Sequence, residues 1–250
     1  MSFKVLNPGI FTTIQDLGRY GYAHLGITSS GAMDEYAYRW ALELLGDQNT
    51  NALEILLGGL SLKATAQTYI VVTGADLDFK IDGKSAPIWQ TIKIKKDQTL
   101  SFGMQKSGMR SYLSVKGGFF AQKVKQSYST TIKEGIGDKL KGGDILEFES
   151  FSNQPIRRLK KEYIPTYTDT LTLRVVLGYQ DHYFSEEQKR EFFKSSYELT
   201  QDISRMGYKL KGPALTPNST LLISEGIAFG AVQIPKDGQP IVLLKERQTI

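Results

Sequence analysis

Thr68-Tyr69-Ile70-Val71-Val72-Thr73 is a run of β-branched and aromatic residues that breaks at Gly74-Ala75-Asp76. Such side chains fit a pleated, half-buried surface, so the run reads as a strand. Moving outward, Leu77-Asp78-Phe79-Lys80-Ile81 alternates apolar with polar residues, meets Asp82-Gly83 and continues towards Ile88-Trp89. Both central residues of a type I′ turn need positive φ, which Asp-Gly tolerates, so this stretch predicts a hairpin. Thr91-Ile92-Lys93-Ile94-Lys95, Leu100-Ser101-Phe102 and Ser111-Tyr112-Leu113-Ser114-Val115 follow, before Gly117-Gly118. Lys141-Gly142-Gly143-Asp144 then leads into Ile145-Leu146-Glu147-Phe148. Many short strands at regular spacing predict a mainly β protein with a few helices, built as a barrel or sandwich.

The helices are the exceptions. Between Met33 and Leu45, Met33, Tyr36, Ala37, Trp40, Ala41, Leu44 and Leu45 fall on one apolar stripe, closed by Gly46. A second helix is predicted from Ser185, because Ser185-Glu186-Glu187-Gln188 has capping-box spacing and Phe192-Phe193 follow. A further strand is expected at Leu171-Thr172-Leu173-Arg174-Val175-Val176. The polar stretch before it holds Pro155, Pro165 and Arg157-Arg158-Leu159-Lys160-Lys161, the composition of a solvated linker. The expected division is 1–150, a first β-rich subdomain; 151–168, a linker; and 169–250, a second subdomain.

Composition removes several chemistries. The 250 residues contain no Cys and only His24 and His182, which excludes disulfides, thiolate metal sites and a cysteine nucleophile. A metal site would have to lean on carboxylates, and no paired-histidine spacing is present. Thirty-one basic against 26 acidic residues, a net charge of +5, permits an anionic ligand without pointing to nucleic acid. No apolar run is long enough to span a membrane and the N-terminus has no leader pattern, so a soluble cytoplasmic protein is expected. Gly83-Lys84-Ser85 resembles the end of a phosphate-binding loop, yet Asp78 stands where its first Gly belongs. No Gly-x-Ser-x-Gly elbow or Gly-x-Gly-x-x-Gly loop occurs.

Three polar clusters exceed what packing requires. The first runs through Gln15-Asp16-Leu17-Gly18-Arg19 and His24 to Ser30-Gly31-Ala32-Met33-Asp34. Asp34 suits either helix-terminus electrostatics or a ligand role, and Asp16 and Arg19 either pair with each other or bind substrate. The second is Ser204-Arg205-Met206-Gly207-Tyr208, where Arg205 either fixes a loop or grips a carboxylate. The third spans Ser224-Glu225-Gly226 to Gln233, then Asp237-Gly238-Gln239-Pro240 and Arg247-Gln248-Thr249, flanking the strand Ile241 to Leu244. Glutamines on rigid loops suit a small amide-like or carboxylate ligand.

Thr13-Ile14-Gln15-Asp16-Leu17-Gly18-Arg19, Gly31-Ala32-Met33-Asp34, Leu53-Glu54-Ile55, Thr73-Gly74-Ala75-Asp76, Arg205-Met206-Gly207-Tyr208, Ser224-Glu225-Gly226 and Asp237-Gly238-Gln239-Pro240 resemble, in order, the signature segments of the allophanate hydrolase subunit 2 family. This family corresponds to the A and B subdomains of the urea carboxylase carboxyltransferase domain. The resemblance implies cyclophilin-like β-barrel architecture and a role like that of the C subunit in an ATP-dependent 5-oxoprolinase, which opens 5-oxo-L-proline to L-glutamate. Implied partners are a subunit 1 type protein (KipI-like, the B subunit) and a lactam-utilisation type protein (the A subunit). Implied catalytic residues are Asp34 and Glu225 for protons, and Arg205 and Gln233 for anionic groups; Gln15, Asp16, Arg19, Gln239, Arg247 and Gln248 are implied to bind substrate. Two alternatives stand: biotin-dependent carboxyl transfer, with biotin on a separate carrier, and a non-enzymatic antagonist of a KipI-like kinase inhibitor. Family members usually continue past Arg-Gln-Thr into further strands. Ending at Thr249-Ile250 implies that Ile241 to Leu244 is an edge strand unpaired on one side.

Overall fold

The computed structural model describes residues 1–218 and 226–248. The chain divides into two compact units, Met1–Arg19 with Ser30–Leu171, and Tyr20–Ser29 with Thr172–Ile250. Along the chain the first unit holds β1 (Ser2–Pro8), β2 (Phe11–Gln15), α1 (Glu35–Leu45), β3 (Ala52–Leu56), β4 (Leu60–Ala64) and β5 (Thr68–Asp76). It continues with β6 (Phe79–Ile81), β7 (Lys84–Ser85), β8 (Thr91–Ile94), β9 (Thr99–Phe102), β10 (Ser107–Val115) and β11 (Ile145–Glu147). These strands form two antiparallel sheets, β11-β1-β4-β9-β6-β7 and β2-β3-β10-β5-β8.

The two sheets share one core. Phe3 and Val5 of β1, Leu60 and Leu62 of β4, and Leu100 and Phe102 of β9 meet Leu53 and Ile55 of β3, Ile70 and Val72 of β5, and Leu113 and Val115 of β10. The alternate residues of the second sheet, Ala52, Tyr69, Val71 and Tyr112, are buried under α1. β5 is thus covered on both faces, which explains why its sequence is a continuous apolar run. The buried face of α1 is Ala37, Tyr38, Ala41, Leu42, Leu44 and Leu45, whereas Tyr36 of the expected stripe is exposed. Two threonines of the sheet tie the helix down: Thr73 Oγ1 donates to the Ala37 carbonyl at 2.7 Å, and Thr91 Oγ1 to that of Leu44 at 2.8 Å.

The mainly β architecture with few helices is as expected, but among the described residues each sheet is open-ended and none closes into a ring. Asp82 and Gly83 take φ of 50° and 76° between β6 and β7, the type I′ hairpin the sequence predicts. Gly74, expected to stop its strand, lies inside β5. Its φ is +82°, and a Cβ there would sit 2.5 Å from the Arg110 carbonyl oxygen, so glycine admits a close approach of β10, where the register shifts. The basic stretch expected as a solvated linker packs within the first unit: Leu159 is buried against α1, and its amide donates to the Trp89 carbonyl at 3.0 Å.

The second unit contains α2 (Glu186–Lys194), β12 (Glu198–Ile203), β13 (Gly207–Lys211), β14 (Val232–Gln233) and β15 (Ile241–Leu243). Ser185 caps α2, its hydroxyl accepting from Gln188 N at 3.2 Å, as its spacing predicts. The sheet order is β12-β13-β15-β14, so β15 is paired on both sides and is not the edge strand expected. Among the described residues Leu171 to Val176, expected as a strand, joins no ladder, and its apolar side chains are exposed.

At the end of β5 the chain turns through Asp78, whose Oδ2 lies 2.6 Å from Lys80 Nζ and whose Oδ1 lies 2.6 Å from Lys106 Nζ. The hydrogen bond from Lys106 and then that from Lys80 hold the Asp78 carboxyl below its ordinary value. A depressed folded value stabilises the native state above the unfolded pKa of about 3.9, and the benefit disappears as pH falls through the folded value. Asp78→Asn should therefore lower the urea midpoint at about pH 7 and leave it close to wild type at about pH 2. Urea titrations of both proteins at the two pH values check this; a gap that persists in acid contradicts it.

Candidate functional site

Three residues of the first polar cluster grip one distant segment. Asp16 Oδ1 accepts from Ser127 Oγ at 2.7 Å, from Ser129 Oγ at 2.5 Å and from Gly18 N at 2.7 Å, while Oδ2 accepts from Tyr128 N at 2.7 Å. Arg19, only 2% exposed, donates to Thr131 Oγ1 at 2.7 Å and to the Ser129 carbonyl. Gln15 Nε2 donates to the Thr130 carbonyl at 3.1 Å and to Thr13 Oγ1 at 3.0 Å. The expected pairing of Asp16 with Arg19 thus gives way to a shared hold on 127–131. Strand β2 and the turn after it deliver all three side chains to that segment.

The gripped segment follows a tight turn. Val124 N donates to the Ser127 carbonyl at 2.9 Å and Ser127 N to that of Val124 at 3.2 Å, with Lys125 at φ 50° and Gln126 at φ 64° between them. Left-handed backbone costs a residue with a Cβ roughly 1–2 kcal/mol, so Lys-Gln is an expensive filling for a turn that favours Asn-Gly. The turn borders an open depression of about 430 Å³, lined by Asp16, Leu17, Gly18, Tyr38, Asn49, Thr50, Lys123 and Gln126. Asn49 is also left-handed, at φ 56°. Lys123 Nζ lies 4.7 Å from the centre of the Tyr128 ring, and Thr50 Oγ1 is buried with no hydrogen-bond partner among the described residues.

Asp34 heads a second network in the same unit. Its Oδ1 caps α1 by accepting from Ala37 N at 3.0 Å, and Oδ2 accepts from the Tyr167 hydroxyl at 2.7 Å. The Asp34 amide donates to the Tyr112 hydroxyl at 2.8 Å, and that hydroxyl donates to Glu54 Oε2 at 2.7 Å. Glu54 Oε2 also receives Met33 N at 2.8 Å, and Arg110 Nε lies 3.6 Å from Oε1. Burial, and then the Glu54 charge, push the Tyr112 hydroxyl well above its ordinary value, so it remains a donor. Burial and the hydrogen bond to Asp34 do the same for Tyr167. Gly108, at φ +72°, leaves room for the Tyr167 ring; a Cβ there would lie 2.9 Å from its Cγ.

Glu54, Tyr112 and Tyr167 were not among the expected site residues. Glu54 had a signal, a lone charge in the otherwise apolar Ala52-Leu53-Glu54-Ile55-Leu56, whereas Tyr167 sits in a stretch that reads as linker. Among the described residues no group of three or more His, Asp or Glu side chains could hold a metal ion.

In the second unit, Arg205 Nε lies 2.5 Å from Glu246 Oε1, with both side chains buried. Gln239 clamps the backbone of Gly212, accepting from its N at 2.9 Å and donating to its carbonyl at 3.1 Å. Arg247 Nε donates to the Ile227 carbonyl at 2.5 Å and Nη1 to that of Leu244 at 3.2 Å; burial lowers its proton affinity. Gln233 lies on β14 opposite Ile241, Gln248 is exposed, and Glu225 lies outside the described residues. His24, of the first polar cluster, is exposed.

Two β-rich units of this kind also occur in the carboxyltransferase-containing urea amidolyase of K. lactis, whose structure covers 99% of this chain. The model of the carboxyltransferase domain, subdomain A and B, matches residues 25–250, and the chain belongs to that family. It is 35% identical to the C subunit of 5-oxoprolinase from Escherichia coli (strain K12), over 98% of this chain and 80% of that protein. Identity to the C subunit of the Haemophilus influenzae 5-oxoprolinase is 33%, over 95% and 77%. The crystal structure of the K. lactis urea amidolyase superposes with a TM-score of 0.85 at 27% identity, covering 99% of this chain and 17% of that one.

Breaking a buried ion pair by removing one partner costs about 3–5 kcal/mol, because the other charge stays buried, while an apolar replacement of both can be neutral. Arg205→Leu should therefore destabilise the second unit by about that much, and adding Glu246→Leu should recover most of the loss. Urea denaturation of both variants is the check; equal stability of the double and single variants contradicts it.

Proposed function

We propose that this chain plays the part of the C subunit in an ATP-dependent 5-oxoprolinase that converts 5-oxo-L-proline to L-glutamate. It works with a subunit 1 type partner (KipI-like, the B subunit) and a lactam-utilisation type partner (the A subunit). The observation that carries this reading is the 35% identity to the C subunit of E. coli 5-oxoprolinase along 98% of the chain, with 80% of that relative matched. Resemblance along nearly the whole chain supports a shared role better than a shared fold alone.

ATP does not fit the one stretch of this chain that resembles a phosphate loop. Gly83 completes the turn from β6 and Lys84-Ser85 is β7, so the glycine is spent on a hairpin rather than opening a helix. We therefore assign ATP use to the partner proteins and derive no step through it here. The chain's own contribution is to bind and orient. Asp34 is its carboxylate for proton handling, with Tyr167 orienting Oδ2. Arg205, held by Glu246, fixes its loop, and Gln233 and Arg247 steer anionic groups. Likeness to the K. lactis urea amidolyase favours a second reading, carboxyl transfer from biotin on a separate carrier, although this chain spans only 17% of that protein.

Reconstitution with both partner proteins separates these readings. Glutamate should be released from 5-oxo-L-proline when all three proteins and ATP are present, and not when this chain is omitted. Bicarbonate-dependent carboxylation of urea with a biotinyl carrier, and no glutamate release, contradicts the proposal.

A further inference from the structure

The basic stretch 157–161 takes no part in the networks around Asp16 or Asp34, yet its backbone is held along its length. Thr91 N donates to the Arg157 carbonyl at 2.8 Å, Arg157 N donates to Thr91 Oγ1 at 3.2 Å, and Arg158 bridges to Gln90. Leu159 is buried, and the Lys160 and Lys161 carbonyls accept from Tyr163 N and Ile164 N around the single helical turn Lys161–Tyr163. The Tyr163 carbonyl accepts from the Tyr36 hydroxyl at 2.7 Å.

On this fixed backbone Arg158, Lys160, Lys161, Ile156 and Tyr163 are exposed, as is Lys93 on the adjoining β8. Arg157 is spent on the fold, its Nη1 donating to the Glu43 carbonyl at the C-terminal end of α1. Arg158 gives only its Nε to Gln90 Oε1, at 2.6 Å, and Lys93 Nζ lies 5.8 Å from the centre of the Tyr69 ring. None of Lys93, Arg158, Lys160 and Lys161 pairs with a carboxylate among the described residues.

A lysine on a strand edge guards against edge pairing. That accounts for Lys93 but not for Lys160 and Lys161, which lie off the sheet. Unpaired cations around an exposed tyrosine and isoleucine have the composition of an interface, with aromatic and arginine anchors inside a charged rim. Because the backbone is already fixed, docking loses little ordering entropy. Charge then selects the partner. Glu162, between Lys161 and Tyr163, and Glu43, on the turn of α1 that Arg157 touches, repel a uniform polyanion such as nucleic acid or an anionic membrane. A protein surface can set carboxylates against the cations and spare the two glutamates.

We propose that the strip 156–163, with Lys93, docks an acidic protein surface, whose carboxylates meet Arg158, Lys160 and Lys161 and whose apolar side chain covers Tyr163 and Ile156. The inference rests on the 5-oxoprolinase reading only for the partner proteins on which that surface is sought.

Surface plasmon resonance with the subunit 1 type protein and with the lactam-utilisation type protein tests it. One of the two should bind wild type with an association rate that falls steeply towards about 1 M salt, where charges are screened beyond about 3 Å. Lys160→Glu with Lys161→Glu should slow association about tenfold at low salt and flatten that dependence, and Tyr163→Ala should speed dissociation about tenfold. Lys4→Glu with Lys84→Glu, the same change of net charge on exposed lysines of β1 and β7, should match wild type. Equal losses in both charge-reversed proteins, no salt-sensitive binding of either partner by wild type, or tighter binding of a single-stranded oligonucleotide or of phosphatidylserine vesicles overturns the proposal. Self-association of the Lys160 and Lys161 variant with partner binding intact also overturns it, in favour of a guard against aggregation. Glutamate release by the reconstituted complex, with association unchanged in that variant, overturns the docking surface and leaves the functional reading standing. Association lost in that variant, with no glutamate release by the wild-type complex, keeps the docking surface and removes the functional reading.

Discussion

The carboxylate of Asp16 joins two parts of the first unit that are more than a hundred residues apart in sequence. It accepts hydrogen bonds from the hydroxyls of Ser127 and Ser129, from the amide of Tyr128, and from the amide of Gly18 in its own turn. Hydrogen bonds to a charged group are stronger than neutral ones and cost most when broken away from water. This one anion fixes where the 127–131 segment lies, and with it the strained turn and the depression that the turn borders. Gln15 and Arg19 grip the same segment from either side in sequence, which makes the motif Gln15-Asp16-Leu17-Gly18-Arg19 a brace.

Behind the brace stands a rigid support. β5 is buried on both faces, by the facing sheet on one and by α1 on the other, and Thr73 and Thr91 bond the helix to the strands beneath it. At the helix start, Asp34 is tied to β10 through Tyr112 and to β3 through Glu54. A buried polar chain of this kind is stable only when every member is satisfied. Glu54 meets that condition with Tyr112, the Met33 amide and Arg110. The segments Gly31-Ala32-Met33-Asp34, Leu53-Glu54-Ile55 and Thr73-Gly74-Ala75-Asp76, far apart in the chain, therefore meet around the N-terminus of one helix.

Features set by neighbours in sequence were legible beforehand. The doubly buried strand from Thr68, the Asp82-Gly83 hairpin, the α1 span ending at Gly46 and the Ser185 cap all follow from local patterns. Features set by distant partners were not. Gly74 looks like a stop until β10 approaches it, and Leu171 to Val176 looks like a strand although it joins no ladder among the described residues. The basic run near Arg157 looks solvated until Leu159 finds the helix. Polar residues showed the same limit: Gln15, Asp16 and Arg19 stood out as more than packing needs, yet nothing local named 127–131 as their target. Arg205 read equally as a loop-fixing or a carboxylate-gripping residue, because its buried partner, Glu246, lies forty-one positions away.

Hydrogen exchange in Asp16→Asn tests the brace most directly. An amide in place of the carboxylate keeps the size of the side chain and removes the charge and one acceptor. The account predicts faster exchange at Tyr128 and across 126–131, with the amides of β3, β5 and β10 as protected as in wild type. Unchanged protection at Tyr128, or a uniform loss across the three strands, would contradict it.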